Sequence, residues 1–183
     1  MSRIPALDPA QVDPKAKPLL DAVQKSIGMT PNLYKVAAQS PAALEGLLGL
    51  SGALAKGRLN ARLWEAIALA VAEVNGCDYC LSAHTAIGKS LGLSDSDIGA
   101  ARHGHTGNPK DAAIIGFART VVHNRGLVSD TDLAQLRKVG FNDGEIVEAV
   151  AHVVVNIFTN YLNHVAGTDI DFPITHAHVV AAA

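Results

Sequence analysis

The chain has 183 residues and a formal charge of 15 − 17 = −2 with histidine neutral, so it can bury a sizeable core and carries no basic excess suited to a nucleic-acid backbone. Hydrophobic residues make up 49%, which excludes a disordered chain, and aromatics only 4%, so the interior must be assembled from Ala, Leu, Val and Ile. The most apolar stretch, 146–167, carries Glu148, His152, Asn156, Asn160, Asn163 and His164, which suits a buried helix and excludes a membrane span.

Residues 1–12 read as an arm, and Met1-Ser2-Arg3-Ile4-Pro5 has no apolar signal core, which predicts a cytoplasmic protein. Helices are then predicted over 14–27, 31–39, 41–56, 60–75, 78–91, 95–104, 109–124, 130–139 and 143–166, and the tail 174–183 reads as a second arm. Asp13-Pro14, Thr30-Pro31, Ser40-Pro41 and Asn108-Pro109 each set a capping side chain before a proline suited to a first helical turn. Ser94-x-x-Asp97, Ser129-x-x-Asp132 and Asn142-x-x-Glu145 have the spacing of capping boxes. Gly28, Gly57, Gly76, Gly92, Gly126, Gly140 and Gly167 stand where helices would end. No sustained two-residue alternation competes, and no linker interrupts the chain, so a single all-α domain over 1–183 is expected. Glu65-Ala-Ile-Ala echoes Glu148-Ala-Val-Ala, a match short enough to be chance.

The chain holds only two cysteines, Cys77 and Cys80, three positions apart. That spacing reads as redox or metal chemistry rather than an extracellular disulfide framework. Asn75-Gly76 ends one helix and Cys77 opens the next, where the positive helix end lowers a thiol pKa. Cys80 follows within closing distance of Cys77, and His84 lies one turn further, on the same face, placed to take the Cys80 proton. Glu65, on a helix that must fold back as a hairpin, can orient and charge His84 as the third member of a relay. The helix dipole favours Cys77 as the nucleophile, whereas His84 favours Cys80.

Glu65, Cys77-Asp-Tyr-Cys80 and His84, set in Ala72-Glu-Val-Asn-Gly-Cys-Asp-Tyr-Cys-Leu-Ser-Ala-His84, resemble the alkyl hydroperoxidase D (AhpD) and carboxymuconolactone decarboxylase-like superfamily, in its peroxidase-related branch. The likeness runs from Thr30-Pro31-Asn32 to Pro173, and departs at Tyr79, where alkyl hydroperoxidase D often has a histidine. The resemblance implies an AhpD-like multi-helical bundle. It also implies a thiol-dependent peroxidase in which Cys80 attacks the peroxide, Cys77 resolves, and Glu65 and His84 relay the proton. A hydroperoxide and an external dithiol reductant would be its partners, with no cofactor. It implies a homo-oligomer, a trimer or hexamer, which the apolar helix 143–166 also suggests. Decarboxylase members of the superfamily lack the cysteine pair, which argues against that activity.

Blander readings compete. Cys77, Cys80 and His84 could ligate zinc with His103 or His105 as fourth ligand, or the pair could serve a general thiol–disulfide oxidoreductase. Leu81 after the second cysteine excludes c-type haem attachment. Alone, the cysteines could be core residues, Glu65 a solvated charge and His84 a buried histidine. The stripe His152, Asn156, Asn160, Asn163 and His164 reads first as a helix seam or a subunit interface, and otherwise as a wall of the thiol pocket.

Overall fold

The computed structural model describes residues 2–178. Among these it contains nine α-helices and no strand: α1 (Lys17–Ile27), α2 (Asn32–Ala37), α3 (Pro41–Leu54), α4 (Ala61–Asn75), α5 (Asp78–Ser90), α6 (Asp95–Arg102), α7 (Pro109–His123), α8 (Asp130–Lys138) and α9 (Asp143–Ala166). All three expected capping boxes form, at Ser94/Asp97, Ser129/Asp132 and Asn142/Glu145. Ser40, Asn60 and Asn108 accept backbone N–H groups at the starts of α3, α4 and α7.

Two starts differ from expectation. α1 begins at Lys17 rather than residue 14, because Pro18 has no N–H to donate to the carbonyl of Pro14; residues 13–16 form a turn closed by Ala16 N to Asp13 O at 2.8 Å. Thr30 does not cap α2; its hydroxyl bonds the Gln24 side chain at 2.9 Å and Pro31 occupies the cap position.

α4 is the central helix. Its residues 66–73 are all buried, and α5, α6, α7 and α9 pack around it. Ala66, Ala68, Ala70 and Ala72 make this crowding possible, since small side chains let neighbouring helices approach closely. α5 lies beside α4, and the cysteines open α5 just past the C-terminal end of α4. A second apolar cluster joins Leu20 of α1, Ala37 of α2 and Leu44 of α3 against the main core.

The two halves of the tetrapeptide echo do different work. Glu148 accepts Leu59 N at 2.9 Å and Arg58 N at 3.0 Å, tying the α3–α4 loop to α9. A Cβ at Gly57 would lie 2.2 Å from the Glu148 carboxylate, so a larger residue there would push that side chain off these backbone groups.

Both arms are docked. Arg3 N bonds Ala166 O at 2.6 Å, and Gln39 Nε2 donates to Pro5 O at 2.9 Å. In the described part of the C-terminal arm, Thr175 N donates to Ser82 Oγ at 2.9 Å, Ala177 N to Asp78 Oδ1 at 2.8 Å and His178 N to Glu73 Oε1 at 2.8 Å. The arm thus straps the first turns of α5. No helix among the described residues is long and apolar enough to cross a membrane.

Candidate active site

The site begins at the turn between α4 and α5. Gly76 sits at φ 66°, a left-handed conformation that favours glycine, and Cys77 N bonds Ala72 O at 2.9 Å to close the end of α4. The chain then reverses into the hairpin that the sequence requires. Cys77 is the N-cap of α5 and its Sγ accepts Cys80 N at 3.3 Å. The two cysteines are joined as a disulfide, with Cα atoms 5.3 Å apart.

The hairpin brings the second turn of α4 beside the middle of α5. His84 Nδ1 meets Glu65 Oε2 at 2.7 Å. Burial disfavours charge on the His84 ring, but the Glu65 carboxylate overrides it and, with the Asn156 side chain, holds the imidazole above its ordinary value. Both side chains line a cavity of about 300 Å³. Cys80 lines the same cavity and Cys77 does not. The four residues singled out from the sequence are therefore gathered within one hairpin, with only Cys77 turned away from the cavity.

Sequence reasoning missed most of the cavity wall. Tyr34, Trp64 and Phe172 come from α2, α4 and the C-terminal loop, and no local pattern marks them. Burial, then the Glu65 charge, push the Tyr34 hydroxyl up. Trp64 stacks on His152 with centroids 5.5 Å apart, and burial holds His152 below its ordinary value. Tyr79, between the cysteines, lines the cavity alongside Cys80. Its hydroxyl accepts Leu33 N at 3.0 Å and donates to Asp171 Oδ1 at 2.8 Å, clasping α2 and the C-terminal loop to α5. Burial pushes this hydroxyl far above its ordinary value.

The polar stripe of α9 divides. His152 and Asn156 line the cavity, and Asn163 Nδ2 donates to Cys80 Sγ at 3.3 Å. Asn160 Oδ1 accepts Asn75 Nδ2 at 2.8 Å, and His164 Nε2 lies 3.0 Å from Asn75 O, as a helix seam would have it. The subunit-interface reading of this stripe is corrected: its asparagines and His152 are buried against α4 and α5. Among the described residues no three of His, Cys, Asp and Glu are placed to hold a metal ion; His84 gives Nδ1 to Glu65 and His103 stacks on His178.

The Carboxymuconolactone decarboxylase family matches this chain over residues 41–106, which span α3 to α6 and hold the whole hairpin. A peroxidase-related protein of Ralstonia eutropha JMP134 with an alkylhydroperoxidase AhpD core has a TM-score of 0.83 at 23% identity, over 93% of this chain and 92% of that one. The chain therefore has the AhpD-like fold, and its residues 41–106 match the family model. Its AhpD-like bundle is shared with a peroxidase-related protein of Silicibacter sp. TM1040, at a TM-score of 0.79 and 23% identity over 91% of each chain. It is shared also with the debrominase Bmp8, solved as a cysteine-to-alanine variant with 2,3,4-tribromopyrrole, at 0.78 and 19% over 92% of this chain and 91% of that one. No curated protein matches this chain.

Proposed function

We propose that the protein is a thiol-dependent peroxidase in which Cys80 is the attacking thiolate and Cys77 the resolving thiol. The observation that carries this reading is that Cys80, and not Cys77, faces the cavity containing the Glu65–His84 pair. Reduced Cys80 gives its proton to His84, whose imidazolium Glu65 favours. The thiolate sulfur attacks the terminal oxygen of a hydroperoxide, the O–O bond breaks, and the departing alkoxide takes the proton from His84. Cys80 is left as a sulfenic acid. Cys77 attacks it, expels water and forms the disulfide. An external dithiol restores both thiols by exchange.

A general thiol–disulfide oxidoreductase would have the same pair, but one meant for protein disulfides needs an exposed sulfur, and both cysteines are buried here. In the same reading the chain assembles as a trimer or hexamer through the exposed apolar face of α9.

The test is peroxide consumption with a dithiol reductant. Cys80→Ser is expected to abolish turnover, and Cys77→Ser to permit a single turnover that leaves a dimedone-reactive sulfenic acid. If the two variants exchange behaviours, the roles are reversed. If the parent protein consumes no peroxide while its disulfide cycles with other thiols, the oxidoreductase reading replaces this one.

A further inference from the structure

We infer that Asn163 is a catalytic residue of the thiol site, its side-chain amide N–H being the direct hydrogen-bond donor to the Cys80 thiolate. The inference rests on the reading that Cys80 is the working thiol.

Asn163 Nδ2 lies 3.3 Å from Cys80 Sγ. A disulfide sulfur carries no hydrogen and can only accept, so the amide must present its nitrogen to it. Once Cys80 is reduced and ionised, the same N–H faces a full negative charge, and hydrogen bonds to ions are about twice as strong as neutral ones. Asn163 and Cys80 are both buried, so little solvent competes for the sulfur.

A seam role does not account for this side chain. Asn160 and His164 already tie α9 to Asn75. Asn163 instead donates to the sulfur while its Oδ1 has no hydrogen-bond partner among the described residues. A buried amide left half satisfied is a cost that an apolar residue would avoid. His84 is engaged by Glu65 at Nδ1 and acts on the thiol by accepting its proton, whereas a neutral amide can take no proton and can only stabilise the anion. The site thus separates the proton acceptor, on α5, from the thiolate donor, on α9. Glu65, Tyr34, Tyr79 and His152 are the other titratable groups around the cavity, and they remain unchanged in the variants below.

The experiment is alkylation of Cys80 by iodoacetamide across pH in a Cys77→Ser background, with no peroxide present. Asn163→Leu, close in size and without a donor, is expected to raise the thiol pKa by about one unit, which makes alkylation near neutral pH roughly tenfold slower. Asn163→Asp keeps the shape and replaces the donor with an anion, so it should raise the pKa further; it also decides the matter if Asn163→Leu does not fold. An unchanged thiol pKa in a folded variant overturns the inference. So does a parent Cys77→Ser protein whose thiol titrates at or above the ordinary value of about 8.5. A raised pKa in the variants of a protein that consumes no peroxide would sustain the Asn163 role and remove the peroxidase reading. Peroxide turnover with an unmoved pKa would do the reverse.

Discussion

His84 is placed where burial penalises its charge and a carboxylate rewards it, and the carboxylate prevails. The sign of the resulting pH dependence follows directly. With the folded pKa above the ordinary value of about 6.5, the pair's contribution to stability is fully present below about 6.5 and is lost as pH rises through the raised folded value. Urea unfolding of parent and Glu65→Gln across pH 5 to 9 should show a stability difference that shrinks as pH rises; a constant difference would mean that Glu65 does not act through the imidazolium. His152 has the opposite sense, since the fold prefers its neutral ring and acid favours the unfolded chain. As one relay, Glu65 and His84 should also fail together. In the Cys77→Ser background, Glu65→Gln and His84→Ala are each expected to slow Cys80 alkylation at neutral pH about tenfold, with the double variant little worse. Multiplying effects would make them independent groups. Both residues were legible because they sit at fixed spacing from the cysteines. Asn163 was visible only as one member of a stripe, because its distance to Cys80 spans 83 positions of sequence.

Among the elements, the C-terminal arm departs furthest from expectation. Read as a tail, residues 174–178 are in fact pinned by polar groups of α4, α5 and α6. Arg102 forms a salt bridge at 2.7 Å to buried Glu73 and donates to His176 O at 2.7 Å. Asp78 takes Ala177 N and pairs with His176 Nδ1 at 2.7 Å. Burial alone would raise the Glu73 pKa, yet Arg102 and the His178 amide hold it below the ordinary range; Asp78 is lowered in the same way by the Ala177 amide and His176. Both contributions are therefore present above the ordinary carboxylate range, near pH 4, and lost as pH falls through the depressed values. Glu73→Gln leaves Arg102 buried without its counter-charge and should destabilise the protein by about 3 kcal/mol in urea unfolding at neutral pH. A loss below about 1 kcal/mol would show that solvent reaches Arg102 in its place. The arm also lies over the first turns of α5, so proteolysis near residue 175 should accelerate in the same variant. None of this was legible, since the arm's partners lie 74 to 105 positions away and Glu73 and Arg102 lie 29 apart on separate helices.

For the molecule as a whole, α9 carries two opposed stripes. The buried one runs through Ile146, Ala149, Val153, Asn156, Asn160 and Asn163. The other, Val147, Ala151, Val154, Phe158, Tyr161 and Val165, alternates four- and three-residue spacing, and all but Ala151 are exposed large hydrophobics. That spacing is the seam of paired helices. Val154→Asp with Tyr161→Asp is expected to reduce the assembly to a smaller species in sedimentation at micromolar concentration, with far-UV circular dichroism unchanged. A parent protein that sediments as a monomer would remove the oligomer reading. Hydropathy alone would turn α9 the other way, polar face outward. The asparagines go inward because they have Asn75 and Cys80 to bond, and the apolar stripe is left outside.

The sequence by itself determined the nine helices of the described residues, the three capping boxes, the reversal at Gly76 and the Glu65–Cys77–Cys80–His84 set, because each is written in contacts within a turn or a hairpin. Only the tertiary structure decided which cysteine faces the cavity, which side chain reaches its sulfur, what Tyr79 holds and where the C-terminal arm lies. Those depend on how α9 and the chain ends cross α4 and α5, and residues that meet across separate helices carry no periodic or positional signal of their meeting.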